Sequence, residues 1–151
     1  MNILISACLL GLSCRYDGES RPCPELLELT KYHHFVPVCP ETIGGLATPR
    51  PPAERQGDRV VTKDGRDVTA EYRRGAEAAL TLCRLLNCRA ALFKERSPSC
   101  GSGTVHNGLF DGGLVPGDGV TAELLKANGI AVYGESEWRR LLPETPEKSE
   151  T

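Results

Sequence analysis

Three of the seven cysteines share one sequence context. Each of them, Cys8, Cys39 and Cys100, comes at or soon after the end of a short apolar run that is typical of a buried strand. The carboxyl ends of parallel strands meet at one edge of a sheet, where open α/β proteins place their ligand sites. We therefore expect these three thiols, although distant in the sequence, to converge at one edge.

Three thiolates without an obvious fourth ligand leave one metal position open, as a catalytic site requires. Zinc sites usually include a close Cys-x-x-Cys pair, which this sequence lacks. Iron–sulfur clusters accept thiolates from scattered positions. Three ligands on a four-iron cluster would leave one iron free to act as a Lewis acid on a substrate atom. The ordinary alternative is that these cysteines are small buried hydrophobic residues.

The other four cysteines are predicted to have smaller roles. Cys83 falls on the apolar stripe of a predicted helix and Cys88 just precedes a strand, so both are expected in the core. Cys23 is expected to be an inert loop thiol. Cys14 either replaces Cys8 as a ligand or lies beside the site as a spectator.

Two polar residues near these cysteines are candidates for catalysis. Glu41 lies two residues after Cys39, and a carboxylate at the mouth of a dry metal site could act as a general base. Ser97 could anchor a substrate or pass a proton. The alternatives are a solvated loop glutamate and a turn serine that caps local backbone groups.

The segment that carries Ser97 follows an apolar strand but cannot continue as regular structure. Pro98 removes a backbone donor and fixes φ, and Gly101 permits a tight turn. The resulting bend is expected to turn Ser97, Ser99 and Gly101 toward the pocket beside Cys100. Ser99 and Gly101 are therefore predicted to contact the substrate.

Several basic residues are candidates for binding an anionic group of the substrate. Lys94, Arg15 and Arg50 lie near the predicted strand ends, although most such residues are simply solvated. Residues 117–121 offer backbone amides at a helix start, which predicts Thr121 as a further substrate contact. No acidic partner at helical spacing accompanies the three histidines, which are expected to be surface or packing residues: His33, His34 and His106.

The composition is that of an ordinary globular chain, with 151 residues, 25% of them charged, and a formal net charge of −2 at pH 7. This balance gives no sign of a nucleic-acid binder, and no apolar run approaches the roughly 20 residues that span a membrane. The odd number of cysteines argues against a complete disulfide framework, so a reducing cytoplasm is expected. We expect no stable nucleic-acid or membrane partner, and either a monomer or a weak homodimer.

The predicted elements alternate between strands and helices, which indicates a single domain over residues 1–142 followed by a flexible tail at 143–151. A hairpin is expected to turn at Asp64-Gly65, and residues 48–54 to form a stiff loop around the site. The fold class is α/β, a three-layer sandwich with a mostly parallel, Rossmann-like sheet. The predicted strands are residues 2–7, 35–38, 90–93 and 130–133; the predicted helices are residues 24–33, 69–86, 121–128 and 135–142.

Several motifs, taken together, resemble the thiouracil desulfidase family, which was long known as a domain of unknown function. The resemblance runs over residues 2–135. It is carried by Ser6-Ala7-Cys8-Leu9-Leu10-Gly11, Cys14-Arg15-Tyr16-Asp17-Gly18, Val38-Cys39-Pro40-Glu41, Gly44-Gly45-Leu46, Thr48-Pro49-Arg50-Pro51-Pro52-Ala53-Glu54, Asp67-Val68-Thr69, Lys94-Glu95-Arg96-Ser97-Pro98-Ser99-Cys100-Gly101 and Gly119-Val120-Thr121-Ala122.

This resemblance implies a [4Fe-4S] cluster held by Cys8, Cys39 and Cys100, with Glu41 and Ser97 as the catalytic carboxylate and serine. The implied reaction replaces the sulfur of a thiolated uracil by oxygen and releases sulfide. Family substrates include 2-thiouracil and 4-thiouridine monophosphate. Relatives with an added domain act on thiolated tRNA, and the absence of such a domain here favours a free base or nucleotide.

Two other functions stay open on the sequence. A non-catalytic iron–sulfur or zinc protein could store sulfur or metal, or sense redox state, with the same cysteines. A disulfide-exchange enzyme is disfavoured by the missing Cys-x-x-Cys motif.

Overall fold

The computed structural model describes residues 1–143 and shows an α/β fold. In chain order the strands are β1 (Asn2–Ser6), β2 (His34–Val38), β3 (Ala53–Gln56), β4 (Arg59–Thr62), β5 (Cys88–Phe93), β6 (Thr104–His106), β7 (Leu114–Pro116) and β8 (Ala131–Gly134). The α-helices are α1 (Leu26–Leu29), α2 (Pro40–Ile43), α3 (Thr69–Leu85) and α4 (Val120–Ala127). Two 3₁₀ segments span Ala7–Leu10 and Glu135–Leu141.

The central sheet has four strands in the order β2-β1-β5-β8, and each neighbouring pair is parallel. Its strands are the short apolar runs that the sequence predicts, and β1 and β5 occupy the two buried central positions. Pro37 is tolerated in β2 because this strand lies at the edge of the sheet.

Both faces of the sheet are covered, as a three-layer sandwich requires. On one face Leu4 of β1 belongs to a buried cluster with Ala79 of α3 and Leu125 of α4. On the other face Ile5 joins a second cluster with Leu29 of α1 and residues of the 3₁₀ segments. Consecutive side chains of a strand point to opposite faces, so one apolar run supplies both cores.

The helix α3 matches its prediction closely, whereas α1 is shorter than predicted. The backbone N–H of Thr69 donates to Asp67 Oδ1 at 2.9 Å, which fixes the start of α3. Only one turn of the predicted helix over residues 24–33 is α-helical. The residues on either side form turns with hydrogen bonds between residues i and i+3, such as the bond from the Tyr32 N–H to Leu29 O at 3.0 Å. None of the helices within residues 1–143 is long and apolar enough to cross a membrane.

The first hairpin pairs β3 with β4 and reverses at Gly57, whose φ of 63° suits glycine. The chain turns again at Asp64-Gly65, as predicted: the Gly65 N–H donates to Thr62 O at 2.9 Å, and Val61 forms an antiparallel bridge with Asp67. The predicted turn after β4 is therefore confirmed, whereas the pairing of β4 with β3 was not predicted. The predicted stiff loop over residues 48–54 also ends earlier than expected, because Ala53 and Glu54 join the hairpin.

A second hairpin, β6–β7, lies in a glycine-rich region for which no strand was predicted. Its strands have three residues each and lack a clear alternation of apolar side chains, so they leave little periodic signal. An isolated bridge pairs Arg96 with Val105 and ties this hairpin to the segment after β5.

The carboxyl ends of β1, β2 and β5 lie side by side, with Ser6 opposite Val38 and Ile5 opposite Leu92. The chain segments that follow these strands therefore start from one edge of the sheet. The fold thus brings the segments with the three predicted cysteine ligands together at that edge.

Candidate active site and metal centre

A cavity of about 420 Å³ opens at this edge of the sheet. Its volume falls within the range of small-molecule sites, about 300–1,000 Å³. Four thiols and five of the predicted polar residues line it: Cys8, Cys14, Cys39, Cys100, Glu41, Ser97, Lys94, Arg15 and Arg50. The structure therefore brings together most of the predicted site.

Each of the three predicted ligands comes from a different segment. Cys8 lies in the 3₁₀ segment after β1, and Cys39 directly precedes α2. Cys100 lies on the bent loop after β5, where its backbone N–H donates to Ser97 Oγ at 3.0 Å. Cys14 adjoins them, since the Cys39 thiol donates to its carbonyl oxygen at 3.7 Å.

The surroundings of Cys39 and Cys100 favour the neutral form of these two thiols. Burial first, with a contribution from nearby Cys39, raises the pKa of Cys100 to about 12. Hydrogen bonds to Ser6 and Ser99 partly oppose that increase. The pKa of Cys39 is also raised, chiefly by its hydrogen bond with Cys14 and then by burial. A metal cation would reverse this preference because metals bind cysteine as thiolate.

The donor set fits an iron–sulfur cluster better than one zinc ion. Within residues 1–143 no group of three or more His, Cys, Asp or Glu side chains is arranged to hold a single metal ion. The thiols instead line the wall of a larger cavity, and soft thiolates are the usual ligands of iron–sulfur clusters. Cys8, Cys39 and Cys100 as cluster ligands, with Cys14 beside them, stay a prediction.

Glu41 lies on α2 at the wall of the cavity, and Arg50 orients it. Arg50 Nε donates to Glu41 Oε1 at 3.0 Å, with 6% and 15% of the two side chains exposed. Tyr72 lines the same cavity, and burial, followed by the charge of nearby Glu41, raises the pKa of Tyr72 well above its usual range. The tyrosine therefore stays neutral beside the carboxylate.

The guanidinium of Arg50 is occupied by the protein itself. Besides Glu41 it binds the carbonyl oxygens of Ala47 and Cys14 at 3.1 and 3.0 Å, and Thr48 Oγ1 at 3.1 Å. The sequence predicted that Arg50 binds an anionic substrate, but these partners leave it poorly placed to do so. Its position instead indicates that it joins the loops around Glu41.

Ser97 also lines the cavity, whereas two other predicted substrate contacts do not. Ser97 Oγ accepts the backbone N–H groups of Ser99 and Cys100 at 3.1 and 3.0 Å. Ser99 and Thr121 are fully buried and share a hydrogen bond of 2.8 Å between their hydroxyls. They fasten the start of α4 to the loop rather than reaching the cavity.

Gly101, which was also predicted to contact substrate, lies outside the cavity lining and has a steric role. A Cβ atom at this position would come within 2.7 Å of Ser97 O. The tight turn expected from the sequence therefore needs glycine here.

The remaining two basic residues face the cavity but already have acidic partners. Lys94 Nζ lies 2.9 Å from Glu135 Oε1, and Arg15 lies 3.4 Å from Asp17 Oδ2. Both pairs are partly exposed, so solvent screens them and each is weak. An anionic group entering the cavity would therefore meet two cations that can still interact with it.

The match to a known family covers nearly the whole described chain, since the model of the 2-thiouracil desulfurase family aligns with residues 3–137. The chain belongs to the 2-thiouracil desulfurase family. A solved structure described as "[4Fe-4S]-dependent thiouracil desulfidase TudS" is 50% identical, with a TM-score of 0.86 over 93% of this chain and 94% of that one. The uncharacterized protein YbbK of Bacillus subtilis (strain 168) is 41% identical over 150 residues, 93% of this chain and 99% of its own length.

These comparisons confirm the family resemblance and the Rossmann-like α/β fold that the sequence predicted. The desulfurase family assignment covers the segments that carry Cys8, Cys39 and Cys100. It also covers Glu41 and Ser97, so all the predicted ligands and catalytic groups lie inside the matched region.

Several residues that line the site were missed on the sequence. Tyr72 lies on the buried face of α3 among apolar residues, and only its phenolic hydroxyl could have suggested a contact with the site. His106 and Phe110 also line the cavity. His106 was predicted to be a surface or packing residue, and its place in the cavity lining corrects that prediction. Its position could not be predicted because the other lining residues come from segments distant in the sequence.

Proposed function

We propose that this member of the desulfurase family is a [4Fe-4S]-dependent enzyme that replaces the sulfur of a thiolated uracil base or nucleotide by oxygen. The observation that carries the proposal is the placement of Cys8, Cys39, Cys100, Glu41 and Ser97 around one cavity. The net reaction combines a thiouracil with water to give uracil and hydrogen sulfide. A carbon–oxygen bond forms, a carbon–sulfur bond breaks, and no net electron transfer is required.

The three cysteines would hold the cluster at the base of the cavity. When bound, such a cluster supplies an iron without a protein ligand, which can polarise a C–S bond as a Lewis acid. Cys14 lies close enough to Cys39 to pack against the same group. The raised pKa of the buried Cys100 thiol implies that the protein releases protons when its thiols become ligands.

Glu41 is the residue that activates water in this proposal. Arg50 fixes its carboxylate at the cavity wall. A fixed carboxylate can take a proton from water as the water oxygen attacks the thiolated ring carbon. The proton that Glu41 gains can then pass to the departing sulfur or to solvent, so the carboxylate is restored.

Ser97 is proposed to donate a hydrogen bond to the pyrimidine ring. Its oxygen accepts two backbone N–H groups, of Ser99 and Cys100, so its own hydrogen is available for a third partner. Donation to a ring nitrogen or carbonyl oxygen would withdraw charge from the ring carbon during attack.

Lys94 and Arg15 provide a basis for preferring a nucleotide over a free base. Both line the cavity with weak, partly exposed acidic partners, so a phosphate could bind beside them. The test compares 4-thiouridine with its 5′-monophosphate. Lys94→Ala should lower kcat/KM for the monophosphate and leave the value for 4-thiouridine unchanged. An equal effect on both substrates would reject a phosphate site here.

The proposed reaction is tested with anaerobically reconstituted protein. We expect a brown protein with about four iron and four acid-labile sulfide ions per chain, which converts 2-thiouracil into uracil and sulfide in equal amounts. Glu41→Gln should retain the cluster and lose turnover. A loaded cluster without turnover on any thiolated uracil would favour the storage or sensing alternative, and colourless protein with stoichiometric zinc would favour a zinc protein.

We also propose that the enzyme works in the cytoplasm, as a monomer or a weak homodimer without nucleic-acid partners. All seven cysteines are unpaired, which suits a reducing compartment. Sedimentation of the loaded protein with and without a thiolated tRNA tests the partners: a stable complex with the tRNA would contradict the proposal.

A further inference from the structure

The catalytic groups described above act at the thiolated carbon and at one polar atom of the ring, and they leave the face and the other edge of the ring to be recognised. One side chain in the cavity has an unmet hydrogen-bonding need. Nδ1 of His106 is buried and has no hydrogen-bond partner within residues 1–143, and His106 lines the cavity. Buried polar atoms without a partner are rare in proteins and call for a specific explanation.

His106 is tied to the catalytic loop through its neighbour in the chain. Val105 pairs with Arg96, the residue before Ser97, in an isolated parallel bridge. The bridge keeps β6 in register with the loop that carries Ser97 and Cys100. This backbone pairing therefore helps to hold His106 at the cavity that Ser97 also lines.

The loop after His106 is anchored by a buried carboxylate. Glu54 is only 8% exposed, and its Oε1 accepts the backbone N–H groups of Gly108 and Phe110 at 2.9 and 3.1 Å. Gln56 Nε2 donates to Gly108 O at 2.9 Å from the same strand, β3. Two backbone N–H groups and one carbonyl oxygen of this loop are thus bound by side chains of the first hairpin.

The anchored loop presents an aromatic side chain to the cavity. Phe110 lines the cavity and has a φ of 56°, a conformation that is uncommon for residues other than glycine. Such backbone strain persists when the surroundings impose it, and it concentrates at ligand sites. Here the Phe110 N–H is held by Glu54, and Phe110 lines the same cavity as His106 with its unpaired imidazole nitrogen.

We propose that His106 and Phe110 form the wall that recognises the pyrimidine ring. Phe110 contacts the flat face of the base, and Nδ1 of His106 hydrogen-bonds a polar atom on its edge. A flat, apolar face and a hydrogen-bonding edge are the two features that a thiolated uracil offers apart from its sulfur. This inference rests on the proposed function, because it names how the same cavity holds that substrate.

The test uses cluster-loaded enzyme and measures KM and kcat for 2-thiouracil together with the inhibition constant of uracil. Loss of a neutral hydrogen bond in His106→Leu should raise KM about 3- to 10-fold. Loss of stacking in Phe110→Ala should raise it roughly 5-fold or more. In both variants kcat should change little, and the inhibition constant of uracil should rise by the same factor as KM, because ground-state and transition-state binding are weakened alike.

Two further variants separate recognition from folding. His106→Asn keeps a polar atom near the position of Nδ1 and should recover most of the lost affinity. Leu109→Ala changes a side chain of the same loop that is 72% exposed, and it should match the wild type in KM and in cluster content.

The outcomes distinguish this inference from the proposed function. If the wild type converts 2-thiouracil and both His106→Leu and Phe110→Ala retain its KM and its inhibition constant for uracil, the recognition wall is rejected and the proposed function stands. If the loaded wild type neither converts 2-thiouracil nor binds uracil by calorimetry, both are rejected.

Discussion

Arg50 is the residue whose replacement should most clearly reveal how the site is held together. Its guanidinium donates to Glu41, Ala47, Thr48 and Cys14, and its backbone N–H donates to Tyr16 O at 2.8 Å. Arg50→Met keeps much of the side-chain volume and removes the charge and all the guanidinium donors. Glu41 then faces the cavity without its cationic partner.

The expected cost follows from the burial of the pair. With 6% of Arg50 and 15% of Glu41 exposed, solvent screens their interaction weakly. Removing one partner of a buried ion pair costs about 3–5 kcal/mol, because the other charge stays behind unpaired. We therefore expect Arg50→Met to lower the free energy of unfolding of the apoprotein by about 3–5 kcal/mol and to abolish turnover, since Glu41 is no longer oriented.

The double variant Glu41→Gln/Arg50→Met identifies the cause. It leaves no buried unpaired charge, so it should be more stable than Arg50→Met alone although it carries one more substitution. Arg50→Lys keeps a charge but can replace only part of the guanidinium bonds, and it should fall between wild type and Arg50→Met.

Urea unfolding under reducing conditions, followed by circular dichroism, measures these differences. A loss below about 1 kcal/mol in Arg50→Met, the value typical of an exposed pair, would refute the reasoning. So would a double variant that is less stable than Arg50→Met by the full effect of Glu41→Gln.

Three further predictions concern the thiols and the packing around them. Cys39→Ser should lose the visible absorbance and the iron of the reconstituted protein. Cys23→Ser is the control and should keep both, because the Cys23 thiol donates to Glu25 away from the main cavity. Equal iron content in the two variants would contradict the ligand assignment. Gly75→Ala would place a Cβ atom 1.9 Å from Pro40 O. The substitution should displace α2, lower the free energy of unfolding by about 1–3 kcal/mol and reduce activity. Wild-type stability of this variant in chemical denaturation would contradict the close contact. Burial raises the pKa of Cys100 to about 12, while an unfolded thiol titrates near pH 8.5. The unfolded chain therefore binds fewer protons than the folded one above about pH 8.5, so apoprotein stability should fall as pH rises from there; a flat profile between about pH 8 and pH 10 would show that the thiol is accessible in the folded state.

The sequence was most informative where local patterns decide the structure. Short apolar runs predicted the four strands of the parallel sheet, and the rule that strand ends share one edge predicted that Cys8, Cys39 and Cys100 would meet there. The stripe of α3 likewise placed Cys83 in the core correctly. These predictions need only periodicity and topology, which are encoded within a few neighbouring residues.

Local patterns could not reveal contacts that join distant segments. Arg50 was predicted to bind substrate because its charge is visible in the sequence, while its partners on the loops at Glu41 and Cys14 are not. The β6–β7 hairpin was missed because its strands have only three residues each, which leaves no periodic signal. The loop between them is held by Glu54, which lies 54 residues from Gly108, so no local pattern reveals this contact.

The most direct test of the account measures 2-thiouracil turnover and iron content in the same anaerobically reconstituted samples of wild type, Glu41→Gln and Cys100→Ser. Wild type should carry about four iron ions per chain and release uracil and sulfide in equal amounts. Glu41→Gln should carry the same iron without turnover, and Cys100→Ser should lose both. Full turnover in Glu41→Gln, or a fully loaded and active Cys100→Ser, would contradict the central claim that thiols at the sheet edge hold the cluster while Glu41 performs the chemistry.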